Sequence, residues 1–317
     1  MTTPKWMRLL VIPALLVGAC SGSKTNTVGP TPTPGPPTPT PIPVPSLTAV
    51  FAGAGDIADC ERPEAAGGAH AEATAKLLDK MTDATVFAAG DLAYFFGTAA
   101  EFNNCYHPRW GRHRPRTYPS PGNHEYDPPT FGIPYYDYFG DRAGPRGAGF
   151  YSYTLGNWHI VSLNSNVAVG AGSEQVRWLD DDLRGSTAKC ALAYWHHPLF
   201  TSGPSAGSGG LMREVWKVLY DRGVDVVVNG HDHMYERFNP QDPNGRSDAP
   251  AGIREYVVGT GGAPLYEFGP TAPNSAFKMN RSYGVVRFTL RDVGWDSVFV
   301  EAVTEAQFDV SIGNLCH

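Results

Sequence analysis

The chain has 317 residues, 42% of them hydrophobic, which is enough for one large core or two small ones. A formal net charge of −6 and a pI near 5.9 argue against a nucleic-acid-binding surface, which usually presents a basic face. Glycine (36) and proline (28) are abundant, so long loops are expected, of the kind that carry chemistry on a rigid scaffold.

At the N-terminus, Lys5 and Arg8 precede an apolar run from Leu9 to Ala19 that is too short to span a bilayer and is broken by Pro13. Its end, Val17-Gly18-Ala19-Cys20, resembles a bacterial lipobox. Residues 1–19 then read as a signal peptide, and Cys20 as a lipidated mature N-terminus. An ordinary cleaved signal peptide is the alternative, and labelled palmitate on the exported product would separate the two. On the first reading the protein is an exported bacterial lipoprotein, anchored to a membrane and facing the periplasm or cell exterior. Residues 20–46 form the anchored stalk: the run TPTPGPPTPTPIPVP is expected as extended polyproline II, a semi-rigid spacer without a core. A ligand for an SH3-type domain is the other use of such a run, and it fits poorly outside the cytosol.

From residue 47 the pattern becomes that of one α/β catalytic domain, residues 47–317. Leu47–Gly53 reads as a buried strand ending in Gly55-Asp56, and Ala65–Met81 as a helix. Ala84–Ala89 is a strand ending in Gly90-Asp91, and Arg116–Pro121 leads into Gly122-Asn123-His124, giving a β-α-β-α-β order with functional groups at the carboxyl ends of strands. Tyr151–Leu155 and His159–Leu163 flank Gly156-Asn157 as a hairpin. A helix at Ser173–Leu183 and a strand at Ala191–Trp195 lead to His196-His197-Pro198. A helix at Leu211–Tyr220 precedes the β-branched run Val224–Val228, which ends at Gly230-His231. Strands at Arg254–Val258, Gly284–Leu290 and Ser297–Val303 follow. The expected architecture is two packed mixed β-sheets flanked by helices, with a site between them at one edge.

Beyond Cys20, four cysteines remain: Cys60, Cys105, Cys190 and Cys316. In an exported protein an even number suggests two disulfides, with three connectivities open. Cys60–Cys105 and Cys190–Cys316 are favoured, because Cys60 and Cys105 closely follow the first two Asp motifs. Free buried thiols are the alternative; zinc binding lacks any Cys-x-x-Cys spacing.

Two short runs carry the chemistry. Gly-Asn-His-Glu at 122–125 and Gly-His-Asp-His at 230–233 each pack metal-binding side chains into a turn directly after a β-type stretch. Asp56, Asp91 and His196 likewise end strands. Hard ions prefer carboxylate, amide oxygen, imidazole and phenolate. A carboxylate between two ions can bind one with each oxygen, and Asp91, with Tyr94 one short turn away, is the best bridge candidate. His231 and His233 alternate, so a tight turn can aim each at a different ion. Singly, these residues read more blandly: Gly-Asp as a turn, Asn123 as a cap, Tyr94 as a half-buried aromatic. Their order along the chain is what raises them. Asp59 and Glu125 read as acceptors that orient imidazoles or as surface residues, Gly259–Gly262 as a tight turn near the site, and Thr201–Gly210 as a mobile rim or a plain linker.

The series GD–GDLAY–GNHE–WHHP–GHDHMYER resembles the calcineurin-like metallophosphoesterases, and within them the purple acid phosphatase branch. The likeness implies their four-layer sandwich and a dinuclear site. Asp56, Asp91, Tyr94 and His233 would hold the first metal, and Asp91, Asn123, His196 and His231 the second. His124 would contact substrate and protonate the leaving oxygen, while His197 would lie at the pocket edge as a substrate contact. Many members carry Asp-x-His at the first motif; here that position is Ala58, and the Tyr94 phenolate fills the vacancy. A phenol with an ordinary pKa near 10 needs a strongly polarising ion, so Fe(III) is expected beside Tyr94, with Fe(II), Zn or Mn at the second position. The implied activity is phosphomonoester hydrolysis by metal-bound hydroxide on phosphorylated small molecules. A phosphodiesterase or nucleotide hydrolase on the same site is the runner-up, and a non-catalytic surface binding protein the reading from another class.

Overall fold

The computed structural model describes residues 48–317; the signal peptide, the Cys20 lipidation and the Pro-rich stalk expected before them lie outside the described residues. The described strands are β1 (Ala49–Ala54), β2 (Ala84–Ala89), β3 (Thr117–Ser120), β4 (Tyr151–Leu155), β5 (Trp158–Ser162), β6 (Cys190–Tyr194), β7 (Val226–Asn229), β8 (Tyr235–Phe238), β9 (Arg254–Val258), β10 (Ser275–Met279), β11 (Gly284–Arg291), β12 (Gly294–Glu301) and β13 (Gln307–Leu315). The longer helices are α1 (Ala69–Lys80), α2 (Ile133–Phe139), α3 (Glu174–Gly185) and α4 (Arg213–Asp221). Among these residues no helix is long and apolar enough to cross a membrane.

Two mixed sheets form, one in the order β13-β12-β11-β1-β2-β3 and the other β10-β8-β9-β7-β6-β5-β4. Strands β1, β2 and β3 are parallel, as are β5, β6, β7 and β9. In the second sheet, period-two alternation divides the side chains between two cores. Ile160, Leu192, Tyr194, Val226 and Val228 enter the inter-sheet core; Val161, Ala193 and Val227 turn outward to meet Val176 and Leu179 of α3 and Val215, Trp216 and Leu219 of α4. Across the inter-sheet core, the Phe51 and Phe87 rings lie 5.8 and 5.9 Å from Tyr194. Both faces of these strands are therefore dry, which is why they read as nearly unbroken Val, Ile and Ala runs.

The sheets are joined at the carboxyl ends of their parallel strands. The Gly55 amide donates to Val258 O at 2.9 Å, linking the end of β1 to the end of β9. The Cys60–Cys105 and Cys190–Cys316 disulfides are formed, with Cα–Cα distances of 5.9 and 5.4 Å.

Three local readings need correction. Helix α1 starts at Ala69, because Ala66 and Gly67 adopt left-handed conformations within the preceding Pro63–Gly68 turn. Between β2 and β3 there is no second long helix, only short helical turns over 99–106 and 110–116, since Gly97 and Pro115 interrupt the segment. Strands β8, β10 and β13 were not expected.

Candidate metal centre

Three strand ends bend abruptly. Asp56 (φ 59°), Asp91 (φ 51°) and His231 (φ 72°) all lie in the left-handed region, which costs a non-glycine residue on the order of 1–3 kcal/mol unless its surroundings enforce it. Here backbone bonds between loops enforce it. Asp56 N donates to Gly90 O at 2.9 Å, Ile57 N to Asp91 O at 2.8 Å, and Gly230 N to His196 O at 3.0 Å. The His231 amide donates to Asp56 Oδ2 at 2.8 Å. Glycines before the donor residues leave the space: a Cβ at Gly90 would run into the His196 imidazole, one at Gly230 into the Asp56 carboxylate, and one at Gly122, before Asn123, into the Asp91 carboxylate.

The side chains then fall into two groups that share one atom. In the first, Tyr94 Oη lies 3.0 Å from Asp56 Oδ1, 3.3 Å from Asp91 Oδ2 and 2.9 Å from His233 Nε2. In the second, His196 Nε2 lies 3.1 Å from Asp91 Oδ2, 3.1 Å from Asn123 Oδ1 and 3.1 Å from His231 Nδ1. Asp91 Oδ2 belongs to both. This differs from one carboxylate oxygen per group: Asp91 Oδ1 is withdrawn because it accepts the His124 amide at 3.0 Å. His124 Nε2 stands 3.8 Å from Asp91 Oδ2. All seven sequence-expected donors and His124 thus converge.

Backbone carbonyls behind the centre fix three of its imidazoles. His196 Nδ1 donates to Ala89 O at 2.9 Å, His233 Nδ1 to Pro264 O at 2.7 Å and His124 Nδ1 to Phe95 O at 2.6 Å, so Nε2 of each faces the centre. His197 sits at the edge, its ring 4.3 Å from that of His231 and its Nδ1 2.7 Å from Ser165 Oγ. Glu125 and Asp59 are fully buried, but neither orients an imidazole. Glu125 accepts the amides of Asp91, Leu92, Ala93 and Gly122, while Asp59 accepts those of Glu61 and Arg62 and pairs with the Arg62 guanidinium. They hold loops. Ala58 acts through its backbone: its carbonyl accepts the Tyr94 amide at 2.9 Å.

The donor set fits two cations on electrostatic grounds. Asp56 and Asp91 are buried, and among the described residues only imidazoles lie within ion-pair distance of them. Two buried carboxylates without a fixed positive partner are unfavourable, and divalent or trivalent ions would supply that charge. With protein groups alone, the compensation falls on His196: burial pulls its pKa down, but the Asp91 charge and hydrogen bond lift it to about 9. For Asp91, burial works upward and is outweighed by His196 and His124, which hold it well below the carboxylate range. Tyr94 is pushed well above 10 by burial, then by Asp56 and Asp91. Its oxygen would bind as phenolate only to an ion polarising enough to reverse that shift. Burial, then the charges of His196 and His231, press His197 down to about 2, so it is a neutral imidazole.

Several neighbours escaped the sequence reading. Tyr266 stacks on His233 with ring centroids 3.9 Å apart, and the Arg62 guanidinium lies 5.1 Å from the Tyr94 ring centre and 4.7 Å from that of Phe95. The Asp59–Arg62 spacing of three was a visible signal for Arg62; Tyr266 had none. Gly259–Gly262 is a tight turn against the site, with Gly261 N donating to Gly55 O and Ala263 N to Asp56 O, both at 2.9 Å. The Thr201–Gly210 segment is pinned at its start, where Thr201 and Ser205 hydroxyls donate to Asp232 and Ser202 donates to Glu236.

The profile of the calcineurin-like phosphoesterase family matches residues 50–235. Purple acid phosphatase 15 of Arabidopsis thaliana is 34% identical over 127 residues, covering 38% of this chain and 24% of its own length. Purple acid phosphatase 22 of the same plant is 32% identical over 152 residues, covering 45% and 34%. The chain thus spans a quarter to a third of these relatives. Among solved structures, purple acid phosphatase PPD1 from yellow lupin seeds superposes with a TM-score of 0.71 over 86% of this chain and 54% of that one, at 21% identity, a likeness of fold. With the fold, the converging donors and the match from β1 to β8, the chain belongs to the calcineurin-like phosphoesterase family, and the relatives it resembles there are purple acid phosphatases.

Proposed function

We propose that this chain hydrolyses phosphoric monoesters of small molecules at a dinuclear metal site. Fe(III) would be held by Asp56, Asp91, Tyr94 and His233, and Fe(II), Zn or Mn by Asp91, Asn123, His196 and His231. The observation that carries this reading is the pair of donor groups meeting at Asp91 Oδ2, with His124 Nε2 only 3.8 Å from that atom. Two such ions, when bound, supply a nucleophilic water at neutral pH and a clamp for phosphoryl oxygens. The remaining work falls to the chain. His124, with Nδ1–H tied to Phe95 O, keeps Nε2 towards the substrate; protonated there, it stabilises the phosphoryl charge and gives its proton to the leaving alkoxide. His197, held by Ser165, offers a neutral imidazole edge that orients the ester. The Asp91 amide and its two successors are locked to Glu125, so the bridging carboxylate is preorganised.

Two variants separate the roles. Asp91→Asn is expected to lose both metals and activity on a nitrophenyl monoester. His124→Ala is expected to keep two metals per chain while kcat falls by about 10²–10⁴. Metal analysis with a visible spectrum checks both, the iron-loaded protein showing a phenolate-to-iron band that Tyr94→Phe removes. Full turnover by metal-replete Asp91→Asn protein would overturn the assignment, and a faster rate on the bis-nitrophenyl ester would move the substrate class to diesters.

A further inference from the structure

Phe96 (48% exposed), Phe131 (62%) and Ile133 (55%) are large apolar side chains left in solvent, and all three lie on segments flanking His124. The first segment continues from Phe95, whose ring is 5.5 Å from the His124 ring, and at Gly97 it runs against the His124 and Glu125 backbone. The second segment is fastened to the same place. Thr130 Oγ1 donates to Phe96 O at 2.7 Å and lies 3.1 Å from Glu125 O, which also accepts the Gly132 amide at 2.7 Å. The Phe96 amide is held in turn by the Glu101 carboxylate at 3.2 Å. Solvent exposure of these side chains is therefore built on a fixed frame.

Phe131 adds an independent signal. It has φ 48°, a left-handed conformation that a bulky aromatic residue rarely adopts, and no burial of its ring offsets the strain. Strained backbone kept in place by its neighbours concentrates at ligand sites.

Position relative to His124 says which part of a ligand this surface meets. In the proposed hydrolysis the P–O bond to the alcohol breaks, water oxygen bonds to phosphorus and releases one proton to solvent, and the alkoxide takes its proton from His124, which solvent then reprotonates. The alcohol must then lie on the His124 side of the site, where the phosphoryl group faces the metal ligands. We infer that Phe96 and Phe131 form the contact surface for the alcohol part of the ester, and that this alcohol carries an aromatic ring. Such a ring can stack on or meet the edge of the two phenyl groups, which flat apolar side chains favour over aliphatic partners. The inference rests on the monoesterase reading.

The test compares 2-phenylethyl phosphate with ethyl phosphate. Both release a primary alkoxide, so the ring is the main difference between them. The metal-loaded wild-type protein is expected to favour the phenylethyl ester about tenfold in kcat/KM, chiefly through KM. The double variant Phe96→Ser/Phe131→Ser is expected to bring that ratio close to one. Phe131→Tyr, which keeps the ring, is expected to keep the ratio, as is Val303→Ser at the distant turn after β12, where Val303 is 81% exposed. A wild-type ratio near one, or a double variant with the wild-type preference, overturns the aromatic subsite while leaving the monoesterase intact. Failure of the wild-type protein to cleave either ester overturns the reading beneath it.

Discussion

A Cβ at Gly122 would run into Asp91 Oδ1 and the Asp91 amide, although Gly122 itself has an ordinary extended conformation (φ −102°, ψ −176°). The glycine of the GNHE run is therefore required by its neighbour and not by its own backbone. Gly122→Ala is expected to displace the shared carboxylate, costing about 1–3 kcal/mol of stability and both metals. Metal stoichiometry together with a thermal midpoint checks it; two metals per chain and wild-type turnover would show that the carboxylate has more room. At this scale the sequence was readable because the donors are of few types and stand at strand ends in a recognisable order. What could not be read was the state of Asp91. Which of its oxygens is shared depends on the His124 amide approaching Oδ1, a contact across 33 residues.

Among the elements, α1 does more than cover the first sheet. Its buried Thr74 donates from Oγ1 towards Gly261 O at 2.6 Å and accepts the Trp110 indole N–H at 3.0 Å. The turn it holds is the one that clamps Gly55 and Asp56. Thr74→Val keeps the shape and removes the hydroxyl, leaving the Trp110 donor and the Gly261 carbonyl without partners in a dry place. The expected loss is about 1–3 kcal/mol, read as a lower urea midpoint at unchanged slope; an unmoved midpoint would mean both groups find other partners. The parallel strands of the core were legible because burial on both faces makes them continuous apolar runs, and β2 and β9 appear over the expected residues. Strands β8, β10 and β13 were not, for a physical reason. In β13 the apolar residues Phe308, Val310 and Ile312 alternate but remain exposed, and β10 is an edge strand with no fully buried residue, so neither carries the usual mark of a core strand. Pairing makes them strands: β13 lies antiparallel to the adjacent β12, and β10 to β8 earlier in the chain.

For the whole molecule, the two disulfides do unequal work. Cys60–Cys105 joins the loop after Asp56 to the helical turn over 99–106 across 45 residues, whereas Cys190–Cys316 spans 126 and ties the first residue of β6, in one sheet, to the segment after β13, in the other. In the chain-entropy account, the longer closure restricts the unfolded ensemble more. Replacing Cys190 and Cys316 by Ala is expected to lower stability by about 2–5 kcal/mol, with metal content retained, since neither cysteine touches the centre. A denaturation curve coinciding with that of the oxidised wild-type protein would show that the packed sheets alone hold the two ends together.

From its own pattern the chain determined which side chains would gather as candidate metal donors, that they would stand at strand ends, and that two sheets would carry them. Residue type and local periodicity encode those properties, because coordination chemistry and burial act on each residue where it stands. Tertiary structure alone decided the rest: the single oxygen common to both donor groups, the turning of Glu125 and Asp59 to loop amides, and the arrival of Tyr266 against His233. Each of these depends on the direction in which distant segments meet when two sheets close on one another, and no local pattern records that direction.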